Sequence, residues 1–157
     1  MALEWKKILC PVDFSDASRA AMQVASELAR RFEGEVTVFH AYPLPGYTLP
    51  EGTVLPATGM LQELAEQTDA LLERWKAEAL ADGAPRVTTD KAVGEPAAEI
   101  VAAAEDGKFD VIVVGTHGRT GLAHVLLGSV AERVVRRAPM PVITVRPKGT
   151  GKSHKAG

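Results

Sequence analysis

The chain is poor in the features that mark several large protein classes. It has one cysteine in 157 residues, so an internal disulfide is impossible and a reducing compartment, the cytoplasm, is expected. No apolar run is long enough to span a membrane, and the first residues lack the apolar core of a signal peptide. Aromatic residues make up 5% and the formal net charge is −2. Both values disfavour nucleic-acid binding, which relies on stacking platforms and positive charge.

The apolar content, 46% of all residues, is sufficient for a folded core and indicates one domain of this length. Short apolar segments alternate along the chain with longer amphipathic ones. The first kind predicts strands at residues 7–12, 35–41, 86–93, 110–114 and 141–145, and the second predicts helices at about residues 16–32, 61–80, 96–104 and 126–138. This alternation predicts an α/β fold, with an open parallel sheet and helices on both faces. Residues 148–157, rich in Gly and Lys, are expected to form a disordered tail.

Residues 43–59 are unusual because they contain four prolines and three glycines between a predicted strand and a predicted helix. A loop of this length within one domain is often a lid or a binding loop. A simple flexible connection is an equally acceptable interpretation. Cys10, in contrast, lies within an apolar strand pattern, which predicts a buried and unreactive thiol.

The most specific signal follows the fourth predicted strand. It reads Gly115-Thr116-His117-Gly118, then nine residues, then Gly128-Ser129 and a helix. Glycines allow close approach of an anion to the backbone, and the first N–H groups of a helix can bind it. In this interpretation Ser129 donates its hydroxyl and N–H groups to phosphate, and Arg119 adds positive charge. The alternative makes Gly128 a packing residue and Ser129 an ordinary helix N-cap.

The spacing of these glycines excludes two familiar phosphate sites. It does not match the dinucleotide fingerprint G-x-G-x-x-G. Gly151-Lys152-Ser153 resembles the end of a P-loop, but Arg146 stands where a P-loop requires its first glycine. We therefore expect a phosphate site of another kind.

Two further residues lie at predicted strand ends, where parallel sheets bind ligands. The Asp13 carboxylate can accept hydrogen bonds from ribose or help to hold a metal–phosphate complex, or it can serve only a turn beside Ser15, the expected N-cap. Ala41 offers backbone groups to an adenine edge. His117 can contact phosphate or face solvent, and His40 is expected to be structural. No set of residues has the spacing of a catalytic triad, a carboxylate pair or a metal site.

The chain resembles the universal stress protein family, specifically its ATP-binding branch with the motif G-x2-G-x9-G-[ST]. The glycine segment matches that motif, and three other family motifs occur in the correct order along the chain. They are Pro11-Val12-Asp13-Phe14-Ser15, Val93-Gly94-Glu95-Pro96 and Pro141-Val142. The resemblance covers about residues 5–147, and the predicted domain is 1–147.

The resemblance implies a Rossmann-like sheet of order 3-2-1-4-5, related to adenine nucleotide alpha hydrolases. It implies a homodimer through the last strand, residues Val142, Ile143, Thr144 and Val145. It also implies ATP as the ligand, with Mg²⁺ held mainly by the phosphates. The implied binding residues are Pro11, Val12, Asp13, Ala41, Gly115, Thr116, His117, Gly118, Arg119, Thr120, Gly121, Gly128, Ser129 and Val130.

The expected function is that of a nucleotide-dependent switch or adaptor in the stress response. A slow ATP hydrolase, assisted by Asp13 or His117, is one alternative. A structural dimer without nucleotide is another. Because adenine is read by backbone groups, the sequence leaves ATP, AMP and a cyclic nucleotide as possible ligands.

Overall fold

The computed structural model describes residues 2–43, 47–49, 52–54, 58–117 and 127–147. The strands are β1 (Lys7–Pro11), β2 (Glu35–Tyr42), β3 (Tyr47–Leu49), β4 (Gly52–Val54), β5 (Arg86–Val93), β6 (Val111–Gly115) and β7 (Val142–Val145). The helices are α1 (Asp16–Phe32), α2 (Thr58–Ala81), α3 (Pro96–Asp106) and α4 (Ser129–Arg137). Within the described ranges, none of the helices combines the length and apolar character needed to cross a membrane.

Five strands form one parallel sheet in the order β5-β2-β1-β6-β7. Counted without the small hairpin β3-β4, this is the predicted order 3-2-1-4-5, so the predicted fold class is confirmed. The central strand β1 is apolar and buried on both faces, as expected for a strand covered by helices on each side. The order of strands reverses between β1 and β6, where this class of fold binds ligands.

Alternate residues of the strands supply two separate cores. On one face, Ile8 and Cys10 of β1 pack with residues of α1 and α2, among them Met22 and Trp75. On the other face, the side chains come from β1, β2, β6 and the helices α3 and α4; the largest fully or nearly fully buried ones are Leu9, Phe39, Ile100, Ile112 and Val134. Burial in the first core raises the pKa of the Cys10 thiol to about 12, which agrees with the expected unreactive cysteine.

Several details differ from the sequence-based expectations. Within the segment 43–59, β3 and β4 form an antiparallel hairpin, and α2 begins already at Thr58. Strands of three residues give too short a pattern to detect among prolines and glycines. Leu80, an apolar residue at the end of the helix predicted at about residues 61–80, is 45% exposed. The expected tail, residues 148–157, lies outside the described residues.

Candidate functional site

A cavity of about 640 Å³ lies beyond the carboxyl ends of β1, β2 and β6. This volume is typical of small-molecule sites, which span about 300–1,000 Å³. The predicted site residues that line it are Pro11, Val12, Asp13, Ala41, Gly115, Thr116, His117, Gly128, Ser129 and Val130. The other four predicted residues, Gly118, Arg119, Thr120 and Gly121, lie outside the described part of the chain.

Eight lining residues were missed by the sequence analysis. They are Ser18, His40, Tyr42, Pro43, Pro96, Ile100, Val114 and Ala131. Most are apolar side chains next to a predicted site residue or on the first turns of helices. Their position in the sequence, beside a predicted site residue or at the start of a helix, could have identified them. Helix α3, for example, begins at Pro96 and follows a strand end, as α1 and α4 do. The helix starts therefore form much of the cavity wall.

Asp13 is fixed by hydrogen bonds within the turn from β1 to α1. Its Oδ1 accepts from the Ser18 hydroxyl (2.6 Å) and from the Ser15 N–H (3.0 Å). The Ser18 hydroxyl oxygen in turn accepts from the Asp13 N–H (2.9 Å). The predicted turn role of Asp13 is thus present, and the same contacts hold its carboxyl group at the cavity wall.

Phe14, which follows Asp13, has a left-handed backbone with φ of 64°. Such a conformation is unusual for a bulky residue and costs on the order of 1–3 kcal/mol. The ring contacts His40 (centroids 4.7 Å apart) and Trp75 (5.4 Å), and these contacts offset part of that cost. His40 lies close to the Val12 carbonyl, with Nδ1 2.6 Å from its oxygen. Since a carbonyl can only accept, Nδ1 carries the proton of this hydrogen bond. The expected structural role of His40 is therefore present.

Helices α1 and α3 both begin with a side chain that caps them. Ser15 is the N-cap of α1, as predicted, and its hydroxyl accepts from the Ser18 N–H (3.2 Å). Glu95 caps α3 by accepting from the N–H groups of Ala97 (3.3 Å) and Ala98 (2.8 Å). The bond from Ala98 is the main reason why the pKa of Glu95 is lowered, and Ala97 and Arg133 add to this effect.

Helix α4 begins differently, because its N-cap is Gly128, which has no side chain to accept a hydrogen bond. The alternative that made Ser129 the N-cap is therefore wrong: Ser129 is the first helical residue. The first hydrogen bond of the helix runs from the Glu132 N–H to the Gly128 carbonyl. The N–H groups of Ser129 and Val130 precede it and so have no acceptor within the helix. Both residues line the cavity.

The N–H group of Gly128 itself donates to the Thr116 carbonyl. Thr116 is 2% exposed, its N–H donates to the Val145 carbonyl of β7 (2.9 Å), and its hydroxyl contacts Nδ1 of His117 (2.8 Å). One peptide segment thus connects β7, His117 and the beginning of α4. His117 is anchored at the cavity rather than merely facing solvent.

The packing of β6 against α1 requires glycine at position 115, which the sequence did not reveal. A Cβ atom at this position would lie 2.7 Å from the backbone carbonyl carbon and oxygen of Ala17. The end of β6 can therefore approach the first turn of α1 only if residue 115 is glycine. The predicted close approach to a ligand remains a prediction, alongside this structural requirement.

The described residues contain no group of three or more His, Cys, Asp or Glu side chains placed to hold a metal ion. What they do provide is a concave site with apolar walls, one fixed carboxyl group and the beginning of a helix whose first residues, Ser129 and Val130, line the cavity. These are the parts needed to bind a small anionic ligand with an apolar portion.

Comparison with known proteins identifies the family. The model of the universal stress protein family matches residues 4–146. Universal stress protein MJ0531 of Methanocaldococcus jannaschii is 39% identical over 148 residues, covering 90% of this chain and 82% of that protein. Similar folds include a universal stress protein in complex with cAMP (TM-score 0.70, 26% identity, 93% of this chain and 100% of that one). Another is the universal stress protein from Archaeoglobus fulgidus in complex with dAMP (TM-score 0.65, 26% identity, 91% and 99%). The chain belongs to the universal stress protein family.

Proposed function

We propose that this protein binds ATP in the cytoplasm and acts as a nucleotide-dependent switch or adaptor in the stress response. The observation that carries the proposal is the cavity at the carboxyl edge of the sheet, into which α4 presents a first turn with a glycine N-cap. The complexes of related proteins with cAMP and dAMP support an adenine nucleotide as the ligand.

The lining residues suggest a division of the cavity between the parts of the nucleotide. The apolar side chains of Val12, Ile100 and Val114 suit the adenine ring, whose edge the backbone of Ala41 would read. The Asp13 carboxyl group is suited to the ribose hydroxyls. The N–H groups of Ser129 and Val130 are suited to phosphate. Gly118, Arg119, Thr120 and Gly121 are proposed to enclose the terminal phosphates, which would themselves hold most of the coordination of Mg²⁺.

A switch requires a second surface that responds to the nucleotide. The proposed surface is β7, through which two copies would pair as a homodimer by Val142, Ile143, Thr144 and Val145. Two features support it: β7 is an edge strand of the sheet, and an apolar edge strand favours pairing. The hydrogen bond between Thr116 and Val145 links this strand directly to the cavity wall. Nucleotide binding would then shift the population of dimer or partner-bound states.

Slow ATP hydrolysis is a second candidate, favoured by the presence of Asp13 and His117 in one cavity. Single-turnover assays of Asp13→Ala and His117→Ala decide it. A real activity falls in at least one variant, whereas equal trace turnover in all three proteins indicates a contaminant. A nucleotide-free structural dimer is the third possibility and predicts no binding at all.

The deciding experiment combines two measurements on the purified protein. Mass spectrometry of released nucleotide identifies what the protein retains, and calorimetry with ATP and Mg²⁺, AMP and cAMP ranks the ligands. We expect saturable one-site binding, with ATP preferred, together with a change in dimer state or partner binding. Absence of both retained nucleotide and binding heat would overturn nucleotide binding, and binding without any such change would overturn the switch.

A further inference from the structure

The Glu95 side chain joins two helices whose first turns line the cavity. Its carboxylate caps α3 through Ala97 and Ala98 and also reaches α4. Oε1 lies 3.1 Å from Nη1 of Arg133, and Oε2 lies 3.8 Å from Nη1 of Arg137. Glu95 does not itself line the cavity. Any effect it has on a bound ligand therefore acts through the helices or through its long-range charge.

Among the described residues, the beginning of α4 has few other polar contacts with the rest of the fold. Ala131 and Val134 bury its apolar side in the same core that holds Ala97 and Ile100 of α3. The peptide of Thr116 holds Gly128, and Glu95 holds the helix one turn further along, at Arg133.

We propose that Glu95 is a positioning residue that sets the first turn of α4 for phosphate binding. The inference rests on the proposed nucleotide site and adds to it a residue outside the cavity. Hydrogen bonds from backbone N–H groups to an anion depend on direction, so a small rotation of α4 weakens them. The Val-Gly-Glu-Pro segment thus serves α3 by capping and serves the phosphate through α4.

The direction in which ligand affinity changes when Glu95 is removed distinguishes a positioning role from a purely electrostatic one. Glu95 is negative, so its removal should strengthen the binding of an anionic ligand if only the long-range charge matters. If Glu95 positions α4, its removal weakens that binding instead. The weakening should affect phosphorylated ligands and spare adenosine, which has no phosphate to contact α4.

The chain offers a matched control in Glu27, on α1. Its carboxylate also binds two arginines, Arg30 (2.9 and 2.5 Å) and Arg31 (2.9 Å). The side chains of Glu27 and Glu95 are exposed to nearly the same extent, 42% and 43%. The partners of Glu27 lie on its own helix, so Glu27→Gln removes a similar ion-pair pattern without affecting the junction of α3 and α4.

The experiment compares Glu95→Gln, Arg133→Gln, their double variant and Glu27→Gln with the parent. Calorimetry gives the Kd for ATP, AMP and adenosine, and thermal unfolding checks each fold. We expect Glu95→Gln to weaken the binding of ATP and AMP about three- to fivefold, because an exposed ion pair contributes no more than this. The affinity for adenosine should stay within about twofold of the parent's. The double variant should lose no more ATP affinity than the weaker-binding single variant. Glu27→Gln should bind ATP as the parent does.

Unchanged or tighter ATP binding by Glu95→Gln would overturn the positioning role, as would an equal loss for adenosine or additive losses in the double variant. Arg133→Gln leaves the α3 cap in place, so it provides a second route to the answer if Glu95→Gln folds poorly. A parent protein that binds neither ATP nor adenosine would instead overturn the nucleotide site itself.

Discussion

Two helices that begin at the same cavity satisfy their first N–H groups in different ways. At α1 the Asp13 carboxylate accepts from the Ser15 N–H of the turn, and the Ser15 hydroxyl accepts from the Ser18 N–H of the first turn. At α4 the N-cap is Gly128, so the first N–H groups are left to an acceptor from outside the helix. With the proposed nucleotide site, the difference gives the two beginnings distinct tasks: that of α1 is a structural joint, and that of α4 is the proposed place for a phosphate.

The largest effect is expected when α4 is made to cap itself. In Gly128→Asp a carboxylate competes with phosphate for the first N–H groups and repels it, so the affinity for ATP should fall at least about tenfold. The backbone of residue 128 (φ −66°, ψ 162°) suits any amino acid, and the free energy of unfolding should change by only a few tenths of a kcal/mol. Calorimetry and urea unfolding measure the two quantities. If the folded variant binds ATP as tightly as the parent does, the phosphates do not bind at the beginning of α4.

The next effect concerns the packing of α1 against the end of β6. Gly115→Ala brings a Cβ to 2.7 Å from the Ala17 backbone, which should lower the free energy of unfolding by about 1–3 kcal/mol. Gly59→Ala is the matched control, because a Cβ there meets no atom of the described residues within 4 Å and alanine favours a helix. Urea unfolding of both variants decides the matter. Equal stability of Gly115→Ala and the parent would show that α1 can shift freely.

A smaller effect is expected from removing the cap of α1. Ser15→Ala should cost about 1 kcal/mol of stability, a typical value for an N-cap serine. Its effect on ATP affinity should be well below that of Gly128→Asp, since no phosphate is assigned to α1. The reverse pattern, a large loss of affinity with unchanged stability, would exchange the tasks of the two helices.

The smallest change in stability is expected from a substitution in the middle of α1. The Ser26 hydroxyl is buried and finds no hydrogen-bond partner among the described residues. Ser26→Ala should therefore raise the free energy of unfolding, by about 0.5–1 kcal/mol, without changing ATP affinity. A loss of stability measured by urea unfolding would reveal a partner for this hydroxyl.

The sequence predicted the parallel sheet, the cap at Ser15 and ten of the eighteen residues that line the cavity, because these features follow from local patterns and from family motifs. It did not predict that Gly128, rather than Ser129, is the N-cap, since the two alternatives differ by one residue at a helix end. The contact between Gly115 and Ala17 joins residues far apart in sequence, and no local pattern signals it. The left-handed Phe14 likewise depends on ring contacts with His40 and Trp75 that form only in the folded chain.

The most direct test of the central claim is a titration followed by the amide NMR signals of the helix beginnings. With ATP, the signals of Ser129 and Val130 should shift strongly, while that of Ala98, which does not line the cavity, should shift little. With adenosine, the Ser129 and Val130 signals should stay close to their free positions. Unmoved Ser129 and Val130 signals at saturating ATP would contradict the claim that the beginning of α4 binds the phosphates.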